Sequence, residues 1–348
     1  MTAGVPAPTP GTPGRRYLGA AVGIVVSLAA LYVALRGVDL ASAADRLKRA
    51  EPLPLGAIVG VIAVQLILRT IRWRALLDIA RPPSPIRLLS LLPILLIGYL
   101  GNAVLPARLG EPIRAFLAAR CERLDAGVVL GTVALERVLD TASLAVLAFG
   151  AALLVRAPAW LTEAAGLVAL IGVLVVAALL TGGMGLFARL LVRAESRLPG
   201  RPLAAVLRFV RLVAHGADAA GERRAVALAL AISAACWLLD MTTFWLVGQS
   251  LGISLVPAAA LLIAAVTVLG TALPSAPGYL GTFELAAAGT ATLLGLPASA
   301  AFSLAVLAHV MAVAPSAFGG AMALAASGMG MGSIAMEARS ATRGALAE

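Results

Sequence analysis

The sequence predicts an all-α polytopic membrane protein with eight apolar segments, about six of them full transmembrane helices and two of them broken or re-entrant. Three observations predict this. Of 348 residues, 61% are hydrophobic and 13% charged, where a soluble domain averages about 45–50% apolar and about 25% charged. Mean hydropathy is +0.99, so there are too few charges to coat a water-facing surface; a soluble enzyme and a disordered chain are both excluded. Apolar runs near the ~20 residues that a spanning helix needs recur along the chain.

Residues 1–14 are rich in Pro, Thr and Gly and are expected to form a disordered tail. The run 17–35 follows Arg15 and Arg16. It is too long for a signal-peptide core and lacks a small-residue cleavage site, so it reads as the first span. Further spans are expected at 53–68, 128–155, 160–180, 226–247 and 298–325. One transmembrane domain then occupies 15–326, with 327–348 as a cytoplasmic tail.

Two runs do not read as plain spans. Residues 88–105 end in Gly-Asn-Ala-Val-Leu and lead through Pro106 into Arg108, Glu111 and Arg114. Residues 255–294 are uncharged apart from Glu284 and are broken by Leu-Pro-Ser-Ala-Pro-Gly-Tyr-Leu-Gly. Backbone freed at such breaks cannot face lipid unpaired; it must be buried in protein or line a wet cavity. Taken singly, each break is equally a kinked helix or an ordinary loop. Together they share the order Gly, Leu-Pro, Gly, Glu. Paired interrupted segments in two halves of a chain point to a substrate site in repeat-built transporters, and they raise an inverted repeat here.

Net charge is +10 and the pI is near 11.0. In a soluble domain that would suggest nucleic acid. Here the positive charge lies between apolar runs, so anionic membrane phospholipids are the expected partners and nucleic acid is not. Residues 182–224 carry eight arginines against three acids, and 69–87 carry five against Asp78. Both are expected in the cytoplasm of a bacterial cell, with the N-terminus on the same side, if each broken segment re-enters. Residues 36–54 then lie outside despite Arg36, Arg46, Lys48 and Arg49. Within 182–224, Leu203, Val206, Leu207, Val210 and Val213 share one face while Arg201, Arg208 and Arg211 lie elsewhere. That pattern fits an interfacial amphipathic helix or a solvated connector.

The candidate site residues are charges and polar groups in apolar surroundings. Glu136 and Asp140 are four apart on one helix face, with Arg137 beside them. Burying such groups costs roughly 2.5–3.5 kcal/mol each on insertion scales, so they must pair or face water. A structural ion pair and a headgroup path both satisfy that demand. Around the first break, Asn102 can donate and accept, while Arg108 and Arg114 offer planar forks suited to phosphate or serve as interfacial anchors. A helix starting near Glu111 would aim its positive end at the same place. The second break adds Ser275, Gly278, Tyr279, Thr282 and Glu284. Asp240 and His309 are lone ionisable groups of lower weight. With no Walker lysine, nucleophile-elbow serine or zinc-binding His pair, and with two distant cysteines, no catalytic residue, metal or other cofactor is expected.

The runs Gly98-Tyr-Leu-Gly-Asn-Ala-Val-Leu-Pro-Ala-Arg-Leu-Gly-Glu-Pro-Ile-Arg-Ala, then Glu136-Arg-Val-Leu-Asp140, then Leu273-Pro-Ser-Ala-Pro-Gly-Tyr-Leu-Gly-Thr-Phe-Glu284 carry a resemblance. From residue 17 to about 325 the chain resembles the lysylphosphatidylglycerol synthase transmembrane region, a flippase-like membrane-protein family. The resemblance implies a polytopic domain associated with moving polar-headed lipids, or with handling polyprenyl-linked sugars. It does not imply aminoacyl transfer, for which no second domain is expected here. Three readings stay open: a lipid flippase or scramblase, a membrane-embedded enzyme or accessory subunit for lipid-linked substrates, and a secondary transporter of a small solute. A lipid-modifying enzyme, a glycosyltransferase or a second copy of the chain are the protein partners considered.

Overall fold

The computed structural model describes residues 13–78, 84–105, 109–181, 223–273 and 275–345. Arg108, the interfacial-helix pattern of 201–213 and most of the tail 1–14 lie outside the described residues. All elements among the described residues are helical. In chain order they are α1 (Pro13–Ala34), α2 (Leu40–Lys48), α3 (Pro52–Asp78), α4 (Leu88–Val104), α5 (Gly110–Glu122), α6 (Ala126–Leu154) and α7 (Ala159–Thr181). They continue as α8 (Arg223–Ser250), α9 (Pro257–Gly270), a 3₁₀ turn (Pro277–Tyr279), α10 (Thr282–Leu293), α11 (Ala298–Ser327) and α12 (Met331–Ala345).

Length sorts these helices. Five (α3, α6, α7, α8 and α11) are long and apolar enough to cross a bilayer, and α1 ends in a shorter apolar helix, Ala21–Ala34. The chain is a polytopic membrane protein. The two interrupted runs are different. At 1.5 Å per residue, the 17 residues of α4 and the 13 of α5 span only about 25 and 20 Å. The 14 of α9 and 12 of α10 span about 21 and 18 Å. Each is shorter than the ~30 Å hydrocarbon core, and each pair folds back on itself as a hairpin.

The hairpins enter from opposite faces. At the base of the first, Ser90 donates to Glu122 (2.9 Å), and Arg120 pairs with Glu337 of α12 (3.2 Å). The tail therefore returns as a helix docked on α5, with Ile334 and Ala338 buried. The opposite face is marked by the amide of Glu51 bonding the carbonyl of Ser250 and that of Asp39 bonding Ser299. Asp39 caps α2 there. The base of the second hairpin lies on this side, where Leu294 packs with Val155 and Met241.

The tips meet. The 3₁₀ turn packs against α4, and a Cβ placed on Gly278 would lie 3.3 Å from the carbonyl oxygen of Ala103. Apolar packing follows the hairpins: one core joins α3, α8, α9, α10 and α11 around Ile58, Phe244, Ile263 and Leu304. A second joins α3, α4, α5, α6 and α12 around Trp73, Leu95, Ile113 and Val133. Helix α7 buries little, only Ala169 and Val176, and presents its remaining apolar face outward.

Candidate functional site

Helix α6 places Glu136 and Asp140 one turn apart on a buried face, as their spacing predicts. Glu136 is met by arginines from three helices and Asp140 by arginines from two. From α5, Arg114 grips Glu136 with both nitrogens, Nη1 to Oε2 at 3.2 Å and Nη2 to Oε1 at 2.9 Å. From α3, Arg72 donates to Glu136 (2.8 Å), to Asp140 and to the hydroxyl of Ser233 on α8 (2.7 Å). Arg137 of α6 itself reaches Glu136 (2.7 Å) and Asp140 (3.3 Å), and its Nε stands 3.6 Å from Glu111 at the start of α5. Three guanidinium groups thus face three carboxylates, and the formal charge is zero.

Burial within the cluster is graded. The side chains of Arg72 and Glu136 are 1% exposed, whereas Arg137 is 32% and Glu111 25% exposed. Charges held away from solvent are tolerated only when paired and hydrogen-bonded, since removing one partner costs roughly 3–5 kcal/mol. Arg72 and Arg114 are therefore locked, while Arg137 and Glu111 form its accessible edge. The Nε atoms of Arg72 and Arg137 have no hydrogen-bond acceptor among the described residues. Around the cluster, Arg114 lies over the Trp73 ring at 5.0 Å, and Trp237 donates to the carbonyl of Asp140 at 2.9 Å.

Arg72 and its neighbour Arg69 correct the sequence reading, which ends this span at 68 and counts both as loop charges. In the structure α3 runs to Asp78. Arg69 bonds Tyr99 (3.0 Å) and Asp240 (3.2 Å), so Asp240 is paired rather than lone. The signal was present: Ile71, Trp73, Leu76 and Leu77 carry the apolar pattern past both arginines.

Other expected site residues are divided between the two hairpins. Asn102 closes the neck of the first, its Oδ1 accepting from the Gly110 amide at 2.9 Å. The second hairpin holds Ser275, whose carbonyl sits against Gly23 of α1, and Tyr279, which packs on the core beside α10. Ser27 of α1 accepts from the Ala276 amide at 2.8 Å. Gly278 and Gly281 take positive φ of 71° and 84°, a conformation glycine adopts at no steric cost. Glu284 is expected beside the arginines but bonds elsewhere. Its Oε2 accepts from the Gly281 amide (2.7 Å), and its Oε1 meets Nδ1 of His309 (2.5 Å). His309 is thus held on both nitrogens, with Nε2 donating to the Gly278 carbonyl at 2.7 Å.

Five helices long and apolar enough to cross a bilayer, two opposed hairpins of shorter helices and a buried, neutral charge cluster define a polytopic membrane protein built around a broken centre. The chain belongs to the lysylphosphatidylglycerol synthase transmembrane region family, which it matches over residues 20–320. Among curated proteins it is similar to a protein named glycosyltransferase AglD from Haloferax volcanii, at 26% identity over 333 residues. That match covers 86% of this chain and 53% of the relative, so the chain spans about half the length of the relative it matches. No solved structure matches it.

Proposed function

We propose that this protein passes the phosphate-bearing headgroup of a phospholipid, or of another lipid-linked phosphate, from one leaflet to the other. The observation that carries the reading is the cluster of Arg72, Arg114, Arg137, Glu111, Glu136 and Asp140 beside the first of two meeting hairpin tips. Arginine presents a fixed fork that matches phosphate oxygens, and a phosphate anion arriving at Arg137 takes the place that Glu111 holds loosely at 3.6 Å. By its place in the sequence, three residues before Glu111, Arg108 is offered as a second fork. Family membership and the named relative both fit a lipid-linked substrate.

The tails need a route that stays in the bilayer. An apolar groove of about 430 Å³ runs between α1 and the second hairpin, lined by Val26, Ala29, Ala30, Gly270, Leu273 and Ala286 among others. A groove open to lipid suits a headgroup that crosses with its chains outside, and it disfavours a transporter open to water alone. In this reading the anionic lipid, the basic stretch 182–224 and the N-terminus share the cytoplasmic side of a bacterial inner membrane, and the protein performs no covalent chemistry.

Reconstitution in liposomes with headgroup-labelled phospholipid, quenched from outside by dithionite, tests this. The native chain should render the inner-leaflet label accessible. Glu111→Gln/Arg137→Gln removes one charge of each sign from the accessible edge, so it should fold yet move label at least about tenfold more slowly. A folded and fully active double variant removes the cluster from the path. The relative's name favours a second reading, a membrane module serving a glycosyl-transfer enzyme; that reading predicts no lipid movement by the purified chain.

A further inference from the structure

Glu284 of the second hairpin and His309 of α11 form a pair of ionisable groups that the headgroup path does not use. His309 and Glu284 are both buried, and the histidine ring stacks on Phe283 with centroids 4.3 Å apart. The carbonyl of Gly278 can only accept, so the His309 Nε2 that meets it at 2.7 Å carries a hydrogen. Nδ1 then faces Glu284 Oε1 at 2.5 Å. A neutral ring would set its Nδ1 lone pair against a carboxylate oxygen at that distance, which is repulsive. A second proton must lie between them, on Nδ1 as an imidazolium or on Oε1 as a neutral acid. A proton on Oε2 would leave the Nδ1 and Oε1 lone pairs facing each other, so it does not satisfy the contact.

We propose that Glu284 and His309 form a proton-binding site that fastens the tip of the second hairpin, so that proton binding and release open and close the meeting point of the two hairpins. When the proton leaves, the 2.5 Å contact must break, either by rotation of His309 or by retreat of α10. Both movements strain the bond from His309 to Gly278, the residue in contact with Ala103 of the first hairpin. Titratable groups on elements packed against α11 are engaged elsewhere or lie off the pair. Arg69 of α3 bonds Asp240 of α8 and Tyr99 of α4, Arg72 of α3 is held by Glu136 and Asp140, and Arg74 pairs with Asp78. On α2, Asp45 and Lys48 pair with each other and Arg46 lines a surface pocket with Asp39 and Glu51, while Tyr279 stands on the turn itself.

The coupling of this site to lipid passage rests on the proposed function; the site itself does not. Nitrogen-15 NMR of the full chain in lipid nanodiscs, in a His215→Asn background, isolates His309. Its Nε2 should carry a hydrogen, and its Nδ1 should show a proton shared with Glu284 that Glu284→Gln removes. An Nδ1 with no shared proton in the native chain, or a signal unchanged by Glu284→Gln, overturns the site. In liposomes, a difference of one pH unit should distribute labelled lipid unequally, by up to about tenfold for one proton per lipid. Glu284→Gln and His309→Gln should bring that ratio to about one. Rapid lipid movement that equilibrates evenly under the gradient overturns the coupling and leaves the proposed function standing. An intact shared proton without lipid movement overturns the proposed function and leaves the proton site.

Discussion

Replacing Arg72 by methionine removes a guanidinium that binds two carboxylates and a hydroxyl while conserving most of its volume. The side chain is 1% exposed, so water neither screens the native contacts nor rescues what is left behind. Glu136 retains Arg114 and Arg137, but Asp140 keeps only Arg137 at 3.3 Å among its arginines. Breaking such a buried pair costs roughly 3–5 kcal/mol, and Arg72→Met should lose about that much in a denaturant titration of the purified protein in micelles. Asp140→Asn should cost a similar amount by orphaning part of Arg72. Arg72→Met/Asp140→Asn restores the balance at two charges of each sign, so its loss should fall short of the sum of the single losses by about 2 kcal/mol or more. An Arg72→Met loss below about 1 kcal/mol, or single losses that add within about 0.5 kcal/mol, would refute the network. Balance is the governing quantity. Neutralising Glu136, Arg137 and Asp140 together, which looks even-handed along α6, would leave Arg72 and Arg114 with Glu111 as the cluster's remaining acid, and should therefore fail to recover stability.

The neck of the first hairpin should be as sensitive. A Cβ on Gly110 would overlap the Gly98 carbonyl and press on Asn102, so Gly110→Ala should lose about 1–3 kcal/mol, whereas Gly289→Ala meets nothing within 4 Å and should be neutral or gain up to about 1 kcal/mol in the same titration. Cysteines at 103 and 279, in a background of Cys121→Ser and Cys236→Ala, should be joined by a short thiol cross-linker because the tips touch; failure to cross-link would separate them. Arg108→Ala should weaken movement of phosphate-headed lipid more than Arg108→Lys, which keeps the charge without the fork; equal effects would remove that fork from the path. Reporter fusions should place 182–224 inside and 249–254 outside, and a reversed pattern would invert the assigned orientation.

Several of these expectations were legible in single residues and their spacing. Glu136 and Asp140 announce a shared face at four apart, and the proline-broken runs at 106 and 274 a chain that cannot simply span, while Arg114 reads equally as a fork or an interfacial anchor. The i,i+4 geometry of a helix and the cost of unpaired backbone in lipid are local, so a window of a dozen residues states them. Arg69 and Arg72 escaped because a positive charge after 16 apolar residues looks like the end of a span. Nothing local distinguishes a terminal anchor from an arginine whose carboxylates are 64 and 68 positions away. Glu284 misled in the opposite way: its place after the second break matches that of Glu111 after the first, yet one caps a helix against His309 and the other faces Arg137.

The sequence by itself determined the solvent, because the ratio of apolar to charged residues decides whether bilayer or water can surround the chain. It also determined where most apolar helices run and where proline breaks them, because hydropathy and proline act within a few turns, though α3 continues ten residues past its expected end at 68. Tertiary structure alone decided which charge meets which. Coulomb attraction and hydrogen bonding depend on separations of about 3 Å, and those are fixed only when α3, α5, α6 and α8 pack side by side. The pairing of Glu284 with His309, and of Arg72 with Glu136 and Asp140, exists because the fold brings distant helices into contact in a medium where no charge can be left alone.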